Sequence, residues 1–186
     1  DDYYLDGSHL GGHVTAHGIP GVELSTGALG HALPFGVGRA LADKIDAAPR
    51  RVFVVLSDGE CAEGSNWEGA LLAAHHRLDH VSVIIDRNRL QILGRTEDVL
   101  GLEPFADKWR AFGWAVFEVD GHDCAAIADA LAQDTGGRPR AVIANTTKGK
   151  GVDFMEDKVE WHTLVPNADH VADALGQLQP QTGSAR

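Results

Sequence analysis

Asp58-Gly59-Glu60 and Asn88 stand about thirty residues apart, and each closes an apolar run. The aspartate follows the run Val52 to Leu56, the asparagine follows Val81 to Ile85, and a helix-like stretch from Asn66 to Leu78 lies between them. Two parallel strands joined by a crossover helix return the chain to the same end of a sheet, so both residues meet at one edge. A carboxylate and an amide oxygen there suit a hard divalent cation whose other ligands are phosphate oxygens. The same residue types also make ordinary turns, since Asp-Gly after a strand and Asn in a strand-end loop need carry no chemistry.

The rest of the chain repeats the strand–helix alternation. Further β-rich runs lie at Ala115 to Val119 and Ala141 to Asn145, with helical patterns at Pro104–Phe112 and Asp123–Gln133. This predicts an α/β fold, a mostly parallel sheet flanked by helices. Most of the runs are continuously apolar, as strands covered on both faces are. Ligands of such sheets lie beyond the carboxyl ends of the strands, which places Asp58, Asn88, Gly121 and Lys148 at one edge. Ala28 to Ile45 reads as a buried helix with Pro34 as a local irregularity, its glycines allowing close approach of another backbone. Residues 1–26 read as loop and the tail from Gln177 (177–186) as frayed. With 186 residues and 44% apolar composition, residues 1–186 are expected to form a single domain with a real core.

Charge narrows the ligand class. A net charge of −11 disfavours nucleic acid as a partner, because its phosphates would be repelled. An anionic small ligand remains compatible if local Gly, Lys and His groups and a metal offset the field. No apolar run approaches the roughly 18 residues needed to span a membrane. Cys61 and Cys124 lie in no CxxC pattern, so both are expected as reduced thiols in a cytoplasmic protein. Asp1 begins the sequence without a signal-like segment, and an N-terminal portion is expected to be missing. His9, His13 and His17 share no face on a Gly-rich loop, which argues against zinc. His75 and His76 are adjacent on a helix, point to different faces and read as structural. The Lys148-Gly149-Lys150-Gly151 run lacks P-loop spacing.

Several motifs together carry a resemblance. Asp58-Gly59-Glu60, Glu63-Gly64 and Asp86-Arg87-Asn88-Arg89-Leu90-Gln91 match the thiamine-diphosphate fingerprint. With Gly12-His13, Pro20-Gly21-Val22-Glu23, Ser25-Thr26-Gly27-Ala28-Leu29-Gly30, Lys148-Gly149-Lys150-Gly151 and Trp161-His162, the chain from about Gly12 to Pro166 resembles the diphosphate-binding half of transketolases. The resemblance implies that Asp58, Asn88 and the Leu90 backbone carbonyl ligate Mg²⁺ or Ca²⁺, and that Gly59 and Glu60 stand at the diphosphate. It implies that Gly27 and Leu29 contact the cofactor rings and that Glu63 lies at a subunit interface. It also implies that His13 and His162 reach substrate hydroxyls and the diphosphate. Ser57 replaces the usual first glycine of the fingerprint, His31 a common glutamine, and Thr163 a small or aromatic residue.

The stretch after Pro166 is too short for the pyrimidine-binding domain that transketolases require. The resemblance therefore implies the N-terminal subunit of a split transketolase, completed by a C-terminal, pyrimidine-binding subunit in a heterotetramer. Its activity would be transfer of a two-carbon ketol unit from a ketose to an aldose, with sugars or sugar phosphates as substrates. The alternatives are a specialised-pathway transketolase with an unusual sugar or carrier-bound acceptor, a 2-oxoacid dehydrogenase subunit, and a non-catalytic paralogue subunit. As a ligand at a strand end, Asp58 is expected to be dispensable for folding.

Overall fold

The apolar runs become β1 (Val52–Ser57), β2 (Val81–Arg87), β5 (Ala115–Asp120) and β6 (Arg140–Asn145), all parallel, in the order β1-β2-β6-β5. A computed structural model describes residue 3, residues 5–48 and residues 50–179 of the chain. The helices are α1 (Ala32–Ile45), α2 (Gly64–His75), α3 (Thr96–Val99), α4 (Phe105–Ala111), α5 (Cys124–Ala132) and α6 (Ala168–Leu178). A separate two-stranded hairpin pairs β3 (Leu90–Gln91) with β4 (Gly94–Arg95), and 3-10 turns span Gly59–Ala62 and Val159–His162.

Register explains which residues form the core. Val54, Leu56, Val83, Ile85, Ala141 and Ile143 share one sheet face and are nearly or fully buried. Against them pack Leu33 and Val37 of α1, Ala70 and Ala73 of α2, and Phe105 and Trp109 of α4. Burying each large side chain contributes roughly 1.5–3 kcal/mol. The Trp109 ring meets Trp67 and Trp114 at 5.1 Å each, and Trp114 donates its indole N–H to the Ala70 carbonyl at 3.0 Å.

Several boundaries differ from the sequence reading, each for a local reason. α1 begins at Ala32 rather than Ala28, because Gly27 and Gly30 adopt φ of +108° and +78°, outside helical space. Pro34 therefore falls in the first helical turn, where its missing N–H costs nothing, and it makes no irregularity. α2 ends at His75 because Arg77 turns left-handed (φ +48°). The Leu78 and Arg77 N–H groups then close on the Ala73 and Ala74 carbonyls, a Schellman ending sealed by buried Leu78. His75 and His76 do not diverge: the chain leaves the helix at His76 and the two rings meet edge-on at 4.9 Å. Gln177 and Leu178 belong to α6 instead of a frayed tail, since Gln177 exchanges two 2.8 Å hydrogen bonds with Asp153. Residues 180–186 of that tail lie outside the described residues.

Both cysteines are free, Cys61 in the core and Cys124 exposed at the start of α5. Burial, then the nearby Glu60 and Asp58 charges, push the Cys61 thiol far above its usual range, which makes it unreactive. No helix among the described residues is long and apolar enough to cross a membrane.

Candidate cofactor site

Asp58 leaves β1 at the carboxyl edge of the sheet and caps the turn Gly59–Ala62. Its Oδ1 accepts the Gly59 N–H at 2.7 Å. Its Oδ2 accepts the Arg89 N–H at 2.6 Å and the Arg87 guanidinium at 3.0 Å. The carboxyl is fully buried. Burial pushes its pKa up, while the Arg89 N–H and then Arg87 pull it down, and burial prevails. Asp58 and the loop at the end of β2 are thus joined directly, as the thirty-residue spacing predicts. In that loop the Asn88 Oδ1 accepts the Leu90 N–H at 2.9 Å, and its amide donates to Asp86 at 3.3 Å.

The donor set fits a hard cation. Oδ1 of Asp58 and Oδ1 of Asn88 each accept one hydrogen bond, which leaves each a lone pair. Gly59 lies so close to β3 that a β-carbon would sit 2.9 Å from Gln91. Ser57 compensates for the glycine usual at its place: its hydroxyl accepts the Glu60 N–H at 3.0 Å and so shapes the turn.

Glu60 ties this turn to the loop before α1. Nearly buried, it accepts the Gly30 N–H at 2.9 Å, while Ser65 donates its hydroxyl to the Gly30 carbonyl at 2.6 Å. Together these bonds open an apolar cleft of about 580 Å³ whose lining includes Gly27, Leu29, His31, Phe35 and Glu60. A cleft of that size matches a small cofactor ring system. The His31 ring is fixed by a 2.9 Å contact with the Leu29 carbonyl.

His13 rests on Gly27: a β-carbon there would lie 2.4 Å from the His13 ring. The loop segments carrying them are tied by the Thr26 N–H to the Val14 carbonyl at 2.9 Å. Gly27→Ala is expected to displace His13 and to destabilise by more than about 1 kcal/mol, since alanine is strained at this φ. Gly38→Ala, in open space on α1, is expected to stabilise by about 0.5–1 kcal/mol. Paired thermal melts check both, and equal shifts would contradict this packing of His13. His162 lies exposed in the turn Val159–His162, which packs against β3. Glu63 is exposed at the start of α2, beside Gly30. Gly121 and Lys148 follow β5 and β6 at the same edge as Asp58. No group of three or more His, Cys, Asp or Glu that could hold a metal ion exists among the described residues.

Arg87 is the residue that the sequence did not single out. Only 2% exposed, it reaches Asp58, Thr96 (3.0 Å), Glu97 (3.3 Å) and Glu103 (2.8 Å), and stacks on Phe105 at 5.0 Å. Its place between Asp86 and Asn88 in the fingerprint was visible, but its partners come from a later segment. His122 was also missed. Its Nε2 accepts the Thr147 N–H at 2.8 Å and so braces the loop before Lys148.

Residues 2–181 match the family model described as transketolase, thiamine diphosphate binding domain. The chain belongs to the transketolase family. In Actinobacillus succinogenes, one of the subunits of apulose-4-phosphate transketolase is 47% identical over 180 residues, covering 96% of this chain and 65% of that protein. The 6-deoxy-6-sulfo-D-fructose transketolase subunit of a Clostridium species is 37% identical, over 94% of this chain and 64% of its own length. This member thus spans just under two-thirds of these relatives. Among solved structures, transketolase from Campylobacter jejuni superposes with a TM-score of 0.87 at 29% identity, over 95% of this chain and 29% of that one. The transketolase of Pichia stipitis complexed with sedoheptulose 7-phosphate gives 0.85 at 30% identity, over 93% and 27%. The expected α/β fold with a parallel sheet flanked by helices is borne out, as is a thiamine-diphosphate-binding domain of the transketolase family.

Proposed function

We propose that this chain is the diphosphate- and metal-binding part of a transketolase-type transferase that becomes active only with a pyrimidine-binding partner subunit. The observation that carries this reading is the Glu60–Gly30 bond, which joins the Asp58 turn to the cleft of Gly27 and Leu29. In it Asp58, Asn88 and the Leu90 carbonyl hold Mg²⁺ or Ca²⁺, with Gly59 and Glu60 at the diphosphate. Gly27 and Leu29 seat the rings. When bound, thiamine diphosphate supplies the electron sink for carbon–carbon cleavage. His13 and His162 hold substrate oxygens and the diphosphate by hydrogen bonds, for which each imidazole offers ring nitrogens as donor or acceptor. Glu63, exposed beside Gly30, faces the partner subunit in a heterotetramer. Free cysteines fit a cytoplasmic setting.

The test is reconstitution of the full-length subunit with its partner, assayed for ketose consumption and aldose lengthening that require both thiamine diphosphate and Mg²⁺. The 47% and 37% identical relatives make apulose 4-phosphate and 6-deoxy-6-sulfo-D-fructose the first substrates to assay. An assembled complex that binds no cofactor would favour a non-catalytic subunit instead. His162→Ala is expected to lower turnover by about 10- to 100-fold, the worth of one charge-assisted hydrogen bond. Because His162 is exposed, its melting temperature should hardly move, and parallel loss of both would make it a packing residue.

A further inference from the structure

His162 stands in a turn that has no core of its own. None of Val159–His162 is buried. A short exposed turn keeps a fixed place only if something outside it holds it, because its own contacts do not outweigh the entropy of ordering it. Two holds are present. Just before the turn, Asp157 pairs with Arg95 of β4 at 2.5 Å and donates its N–H to the Lys148 carbonyl at 3.0 Å. Both side chains of that ion pair are half exposed, at 51% and 49%, and such a pair contributes little. Within the turn, the Trp161 ring meets Phe154 and His170, each at 5.2 Å between centroids. The ring contacts are the stronger hold.

The three rings form a closed cluster. Phe154 and His170 stack at 5.2 Å with their planes 29° apart, and Trp161 meets them at 55° and 83°. Offset and edge-to-face arrangements of this kind are the ones aromatic pairs favour. His170 is the member that belongs to α6, and α6 is fixed at both ends. Near its end Gln177 exchanges two hydrogen bonds with Asp153. At its start the Asn167 Oδ1 accepts the His170 N–H at 2.8 Å, and the His170 Nδ1 accepts the Asn167 N–H at 3.4 Å. The His170 side chain thus does two separable things. One nitrogen closes the capping box of α6, and the ring supports Trp161, the residue before His162.

We propose that His170 is a positioning residue for His162: stacked on Phe154 and edge-on to Trp161, its ring fixes the turn from which the His162 imidazole is presented. This role presupposes the one proposed for His162 at the cofactor site. His170 acts only through Trp161 and touches no reacting atom.

The experiment uses the full-length subunit assembled with its partner and separates the two functions of His170. His170→Gln removes the ring but keeps the capping box, since glutamine serves at this helix position. His170→Phe keeps a ring and gives up the capping bond. His170→Gln is expected to lower turnover about 10-fold, because misplacing a reacting group by about 1 Å can cost up to about 100-fold. His170→Phe should retain turnover and lose only melting temperature. The reverse order would make His170 a helix cap alone and overturns the proposal. In a His162→Ala background, His170→Gln should cost nothing further, and an undiminished loss there also overturns it. A second readout needs neither substrate nor cofactor. In ring 1H–15N spectra of the isolated full-length subunit, the His162 signal, assigned by its absence in His162→Ala, should move in His170→Gln and hold in His170→Phe. A signal that His170→Gln leaves in place overturns the proposal while the role of His162 stands. Turnover unchanged by His162→Ala itself removes that role, and the proposal with it.

Discussion

Asp58→Ala is expected to remove metal-dependent thiamine diphosphate binding from the assembled complex. The loss should exceed about 100-fold in affinity, because even outer-shell partners of a bound metal are worth about 10- to 100-fold. The same change should also weaken the fold, contrary to the expectation for a ligand at a strand end. Asp58 is fully buried and accepts from Gly59, Arg89 and Arg87. Removing one partner of a buried ion pair costs about 3–5 kcal/mol, and the lower end applies because Arg87 keeps Glu97, Glu103 and Thr96. Asp58→Asn tests the charge at closer to constant volume: its single amide oxygen keeps the bond from Arg89 or from Gly59 but not both, and the negative charge is lost. Calorimetric titration at saturating Mg²⁺, alongside urea unfolding, reads both quantities. Undiminished cofactor affinity in the asparagine variant would remove Asp58 from the metal site.

Arg87→Met should destabilise by about 3–5 kcal/mol at neutral pH, since it leaves the Asp58 carboxylate buried with only two backbone donors. The pH dependence is the sharper test. Asp58, already raised by burial, rises further without the guanidinium, so its ionised form opposes folding and protonation relieves that opposition as pH falls. Glu97 and Glu103 have the opposite sign. The Leu102 N–H for Glu97 and the Phe105 N–H for Glu103, with Arg87 behind them, hold these carboxyls below their usual range. Their contribution is present above the unfolded value and is lost as pH falls through the folded one, and Arg87→Met removes part of it in advance. The stability gap between wild type and variant should therefore narrow as pH drops from neutral into the ordinary carboxylate range. A gap that stays constant in urea unfolding across that range would show that Arg87 acts through packing on Phe105 rather than through charge.

Much of the architecture was legible because it is local. Val52, Val81 and Ala115 begin their strands where the apolar runs begin, and β6 starts one residue before Ala141. Three of the missed elements are short, β3 and β4 at two residues each and α3 at four, below the length at which periodicity speaks, whereas the missed α6 (Ala168–Leu178) has eleven residues. In the candidate site, Asp58 and Asn88 were found by spacing after strands, and Gly27 and Leu29 by resemblance. The Glu60–Gly30 bond spans thirty residues, with no pattern in either segment to announce it.

What the chain determines by itself is where its strands end, because hydrophobic runs mark the strands and right-handed crossovers bring their carboxyl ends to one edge. That alone places Asp58 beside the loop of Asn88. Tertiary packing decided two further matters. Arg87 balances Asp58 from inside the fingerprint, an assignment that depends on Glu97, Glu103 and Phe105 folding over the guanidinium. Among the described residues, Phe53 and Val55 on the outer face of β1 stay 48% and 70% exposed. An apolar run states that a strand is to be covered, but only three-dimensional packing shows by what, because a cover comes from residues distant in sequence.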